Sequence, residues 1–146
     1  MKSFVALLFL AITLPACTDR PGSDVCGHTE DLPSFICETT KHNFEGAKAK
    51  KHIAFYVSAD LKERAIPNLS ETLLNSSQGL TRIDIGGTDA AETKKVIIAA
   101  LENLKLANAN LNNMQVMYFG PAFVQSLSSS FEQLGAEFVF IEYGQL

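Results

Sequence analysis

The chain has 146 residues, is 47% hydrophobic and 19% charged, and carries a formal net charge of −4. That length and apolar content fit one folded domain and exclude a two-domain or a disordered chain. The acidic balance, with no basic stripe, makes nucleic acid a poor partner.

The first residues have the pattern of an export signal. Lys2 supplies one positive charge, and Phe4 to Leu14 is apolar except for Thr13. As a helix this stretch crosses only about half of a bilayer core, which suits a cleaved signal peptide over residues 1–16 better than a transmembrane helix. Leu14-Pro15-Ala16-Cys17 resembles the lipobox of bacterial lipoproteins, although Pro15 is unusual at its position. A soluble-secretion cut after Ala16 would need a small residue where Leu14 stands. The resemblance implies acylation (palmitate and further chains) at Cys17, because one acyl chain alone anchors only weakly. Thr18 after the cysteine, with Asp19 one place too late for inner-membrane retention, implies the outer membrane and a domain facing the periplasm. Loss of the leader takes the net charge from −4 to about −5 and leaves about 130 residues.

Residues 17–50 read as a lipidated tether. Pro21, Gly22, Gly27 and Pro33 punctuate it, and it shows no sustained periodicity. With Cys17 lipidated, Cys26 and Cys37 remain as a disulfide pair in an oxidising compartment. Cys26, His28, Cys37 and His42 can also be drawn as a zinc site, but their spacing matches no standard finger, so no metal is expected.

Residues 51–146 read as the globular domain. Ile53, Phe55 and Val57 alternate with smaller or polar neighbours and predict a strand. A helix follows between Leu61 and Asn75, its regular part starting at Pro67 and its apolar face made by Leu69, Leu73 and Leu74. Leu80 to Ile85 is a second strand, broken by Gly86-Gly87. Asp89, three residues before Glu92, makes a capping box for the strongest helix, striped by Val96, Ile97, Ala100, Leu101 and Leu104. Asn108 to Asn113 is a turn-rich link to a third strand, Met114 to Phe119, stopped by Gly120-Pro121. Pro121 opens a third helix carrying Phe123, Leu127, Phe131 and Leu134, and Gly135 ends it. Glu137 to Tyr143 is the last strand.

The predicted class is α/β, built as an α+β sandwich in the order β-α-β-α-β-α-β. One four-stranded mixed sheet is expected, with helices packed on it. That order invites a nucleotide fold, but Gly86-Gly87-Thr88-Asp89-Ala90-Ala91 lacks the third glycine, and Asp89 would repel phosphate.

Phe55 to Leu61, Ile83 to Asp89, Lys94-Lys95-Val96 and Met117 to Gly120 together resemble segments of the OmpA-like domain, the peptidoglycan-associating module of many outer-membrane lipoproteins. The correspondence covers about 90 residues. It implies that Asp89 pairs with the ammonium of diaminopimelate, and that Lys94 or Lys95 stands where the family's arginine grips the carboxylate. The sequence departs from the family in having Gly87 for the turn histidine, and its helix arrives roughly nine residues early. Residue by residue, Asp89 reads more readily as a plain helix cap, and Lys94 and Lys95 as a solvated face.

No Gly-x-Ser-x-Gly or His-Glu-x-x-His motif is present, and all three histidines lie at or before His52. A non-catalytic binding domain without a cofactor is therefore expected. Its partner would be peptidoglycan or an envelope machine for secretion, pilus assembly or transport. The alternative is an immunity or exclusion lipoprotein that binds a toxin or another protein.

Overall fold

The four strands are parallel and lie in the order of the sequence, β1 (Lys51–Val57), β2 (Thr81–Gly87), β3 (Met114–Gly120) and β4 (Glu137–Glu142). The computed structural model describes residue 26 and residues 31–42 and 51–143, without the side chains of Leu61 and Lys62. The expected signal peptide, Cys17 and His28 lie outside the described residues.

The expected mixed sheet is corrected to an all-parallel one. Each pair of successive strands is joined by a helix, α2 (Lys62–Ser76), α3 (Ala90–Leu106) or α4 (Gln125–Gln133). Such a crossover returns the chain to the starting end, so every strand runs the same way; an antiparallel neighbour arises from a hairpin, and none joins these strands. Crossovers of one hand between strands in sequential order place all three helices on one face. The main core agrees, packing Leu69, Leu73, Ile97, Leu101, Leu127 and Phe131 of the helices against Ile83, Ile85, Val116 and Tyr118.

The opposite face is covered by a helix lying within the stretch expected to be tether. Helix α1 (Leu32–Lys41) starts at Asp31, whose carboxylate accepts the Ser34 N–H at 2.8 Å, with Pro33 in the first turn. Its Phe35 is fully buried against Met117, Phe119 and Tyr143. The Cys26–Cys37 disulfide is formed and closes the segment around the helix start.

Three boundaries move for identifiable reasons. Gly86 and Gly87 do not break β2 but end it from inside, because both are sites of close approach. A Cβ on Gly86 would lie 2.6 Å from the Phe35 ring, and one on Gly87 would lie 2.6 Å from the Val57 carbonyl. Pro67 sits inside α2 rather than at its start. It and Glu63, whose carbonyl loses its helical donor, are both exposed, so water can replace the missing bond. Ala65, Leu69 and Leu73 form the buried stripe of α2, and Leu74 turns outward at 40% exposure. Helix α4 begins at Gln125, four residues after Pro121, because residues 121–124 carry Phe123 over β4 before the helix starts. The stripe expected for α3 is buried throughout.

Candidate functional site

Asp89, Lys94 and Lys95 lie at the start of α3. Asp89 is the N-cap, its carboxylate accepting the Glu92 N–H at 2.9 Å. Lys95 Nζ donates to Glu92 Oε1 at 2.6 Å, and this hydrogen bond, with the Glu92 charge behind it, raises the Lys95 pKa. The Glu92 side chain thus serves Lys95, where a capping box would have turned it back to the Asp89 N–H. Asp89 and Lys95 are brought together around Glu92 at the surface, while Lys94 is half-buried one position further round the helix. Of the charges expected for a zwitterionic ligand, Asp89 and Lys95 are therefore already engaged within the helix, while Lys94 makes no ion pair among the described residues.

A second cluster was not anticipated. Asp84 is fully buried in β2, and its oxygens accept from Arg82 Nε at 2.7 Å, Arg82 Nη2 at 2.9 Å and His52 Nε2 at 2.7 Å. Arg82 and Asp84 are two apart on one strand and so share a face, and the parallel register sets His52 beside Arg82. Arg82 Nη1 also donates to the carbonyl of His42 at 2.7 Å, at the C-terminal end of α1. A guanidinium there meets both an orphan carbonyl and the negative end of the helix dipole. This cluster fastens α1 to the sheet. It lies at the amino-terminal end of the strands, whereas ligand sites of parallel sheets lie at the carboxyl ends. Among the described residues, no group of His, Cys, Asp and Glu is arranged to hold a metal ion.

The third feature is aromatic. β4 is the last strand of the sheet, and among the described residues no strand pairs with its outer side. Phe131 stacks on Phe138 at 5.6 Å, and Phe123 meets Phe138 and Phe140 edge-on at 6.4 and 5.9 Å. Tyr118 adds a fifth ring, 6.1 Å from Phe140. Burial decreases along this series, from fully buried Phe131 through half-buried Phe138 and Phe140 to Phe123 at 51% exposure. Rings locked by their neighbours and open on one side can contact a partner at little entropic cost. The alternation of Phe138 and Phe140 identifies the strand from the sequence, but its place at the sheet edge does not follow from that alternation.

Compared with known proteins, the chain matches no family model, no curated protein and no solved structure. No helix among the described residues is long and apolar enough to cross a membrane.

Proposed function

We propose that this chain is an outer-membrane lipoprotein, held by acyl chains on Cys17 and facing the periplasm. Its domain binds a protein of the cell envelope and catalyses no reaction. The supporting observation is the open aromatic margin formed by Phe123, Phe138 and Phe140 beside an edge strand. Of the charged groups that would serve a small polar ligand, Asp89, Lys95 and the Arg82–Asp84 pair are engaged instead in a helix cap, a helix-face ion pair and a buried clasp. Peptidoglycan binding through Asp89, Lys94 and Lys95 is thus the weaker reading of the same domain.

Two measurements test this. Palmitate labelling in cells should be lost in Cys17→Ser. A photo-crosslinking residue in place of Phe123 should give a discrete protein adduct in intact cells, while one in place of Leu106, at the far end of α3, should give none. Co-sedimentation of the unaltered chain with purified sacculi, abolished by Asp89→Ala, would overturn the protein-binding reading and return the domain to the cell wall. Asp89→Ala should otherwise cost only about 1 kcal/mol of stability, the worth of an N-cap.

A further inference from the structure

Resting on the reading that the domain binds a protein, the edge of β4 points to how such a partner is held. A strand at a sheet edge leaves every second backbone N–H and C=O without a ladder partner, and natural edges are blunted by charge, proline or a bulge. The four central residues of β4, Phe138, Val139, Phe140 and Ile141, are all apolar and all half-buried. Phe138 and Phe140 extend the core beneath the three helices, and Val139 and Ile141 extend the core beneath α1. A strand laid along this edge would therefore lengthen both cores at once. Only Glu137 and Glu142 are exposed, one at each end and, being five residues apart, on opposite faces. Gln115 of β3 donates to Glu137 at 3.1 Å and fixes its carboxylate at the strand's beginning.

We infer that β4 accepts an added strand from a partner polypeptide, an extended segment of about six residues, apolar in the middle and carrying Lys or Arg at both ends. A cation opposite each glutamate lies within cross-strand reach. Because the two glutamates bracket the strand symmetrically, charge alone permits either strand direction. A second copy fits worse. Antiparallel pairing of two β4 strands with their faces matched, about Val139 or about Phe140, sets Glu137 against Ile141 or Tyr143 and Glu142 against Ala136 or Phe138, so neither glutamate meets a cation. Parallel addition of a second copy's β1 with matched faces sets His52 against Glu137 and Val57 against Glu142, offering neither a Lys nor an Arg, and it builds an assembly that never closes.

The test uses the full chain in detergent and two fluorescent ten-residue peptides with the same four-residue Val-Ile-Val-Val centre, one flanked on each side by three lysines and one by three glutamates. The lysine-flanked peptide should bind about tenfold more tightly, and Glu137→Lys/Glu142→Lys should reverse the preference. Both glutamates are exposed, so circular dichroism and the urea midpoint of the variant should match the parent. Hydrogen exchange should show new protection confined to residues 137–142. Equal binding of the two peptides, binding of neither, no reversal, or protection elsewhere would each overturn strand addition at β4. Concentration-dependent self-association that protects β4 would do the same, in favour of a second copy. These failures leave the Phe123 adduct standing, whereas sacculus binding would remove the protein-partner reading itself.

Discussion

Removing the Asp84 carboxylate should be the most damaging single change to this domain. The group is fully buried, accepts three hydrogen bonds, and neutralises Arg82, itself only 2% exposed. Asp84→Ala leaves the guanidinium buried with the His42 carbonyl but without its counter-charge. Breaking one half of a buried pair costs about 3–5 kcal/mol. Whole domains are stable by only about 5–15 kcal/mol. With a urea dependence of about 1–3 kcal/mol per molar, the unfolding midpoint should fall by on the order of 2 M. Equilibrium urea unfolding followed by circular dichroism, with the disulfide kept oxidised, measures this. The double variant Arg82→Met/Asp84→Leu should recover most of the loss, because it removes both charges together. His52→Ala should cost only about 1 kcal/mol, since Asp84 keeps both Arg82 bonds and the imidazole lies at the sheet margin. A midpoint shift under about 0.5 M for Asp84→Ala, or a double variant no better than the single one, would refute this account of the clasp.

Gly86→Ala should expel Phe35 from its seat, costing about 1–3 kcal/mol, because the new methyl would lie 2.6 Å from the ring. Hydrogen exchange should show α1 loosening selectively, and Phe35→Leu in the same chain should recover part of the loss. Cys26→Ser/Cys37→Ser should lower stability by about 2–3 kcal/mol, the worth of closing so short a loop, with thermal melts under oxidising conditions as the check. Burial, followed by the nearby Asp31 carboxylate, pushes the Tyr143 hydroxyl up to about 12 from its ordinary 10.0. The folded state therefore favours the neutral phenol, so this contribution is complete below pH 10 and is lost as pH rises through about 12. Between those values the urea midpoint should fall less steeply in Tyr143→Phe than in the parent; equal slopes would refute the assignment.

Sequence pattern carried the parts of this fold whose periodicity matches their burial. The α3 stripe from Val96 to Leu104 is buried as its 3.6-residue spacing predicts, and Asp89 begins the helix. The alternation of Ile83 and Ile85 likewise marks one face of β2. The other face of β2 could not be read. Arg82 and Asp84 occupy alternate positions, which normally signal solvent, yet both are buried because α1 covers them and each satisfies the other. Nor was α1 legible. Phe35 is its one large buried apolar residue, and Pro33, which reads as loop punctuation, occupies its first turn. The parallel direction of the sheet depended on recognising that every connection is a crossover, a property of the whole chain rather than of any segment.

The sequential strand order also decides where a partner can be met. In open parallel sheets, ligand crevices form where the strand order reverses and the helices on either side of that point diverge to opposite faces. Here β1 to β4 follow one another without reversal, so α2, α3 and α4 cover one face together and α1 covers the other. The N-terminus of α3, where such folds bind phosphate, is already capped by Asp89. What the topology leaves for recognition is the sheet's margins. The β1 margin opens with exposed Lys51, and charge of that kind blunts an edge. The β4 margin concentrates its charge at Glu137 and Glu142 and keeps four apolar residues between them, with Phe123 standing beside it. If β4 accepts a strand as proposed, a margin guarded only at its ends would disfavour acidic-ended strands and admit basic-ended ones, and its two glutamates would select the partner.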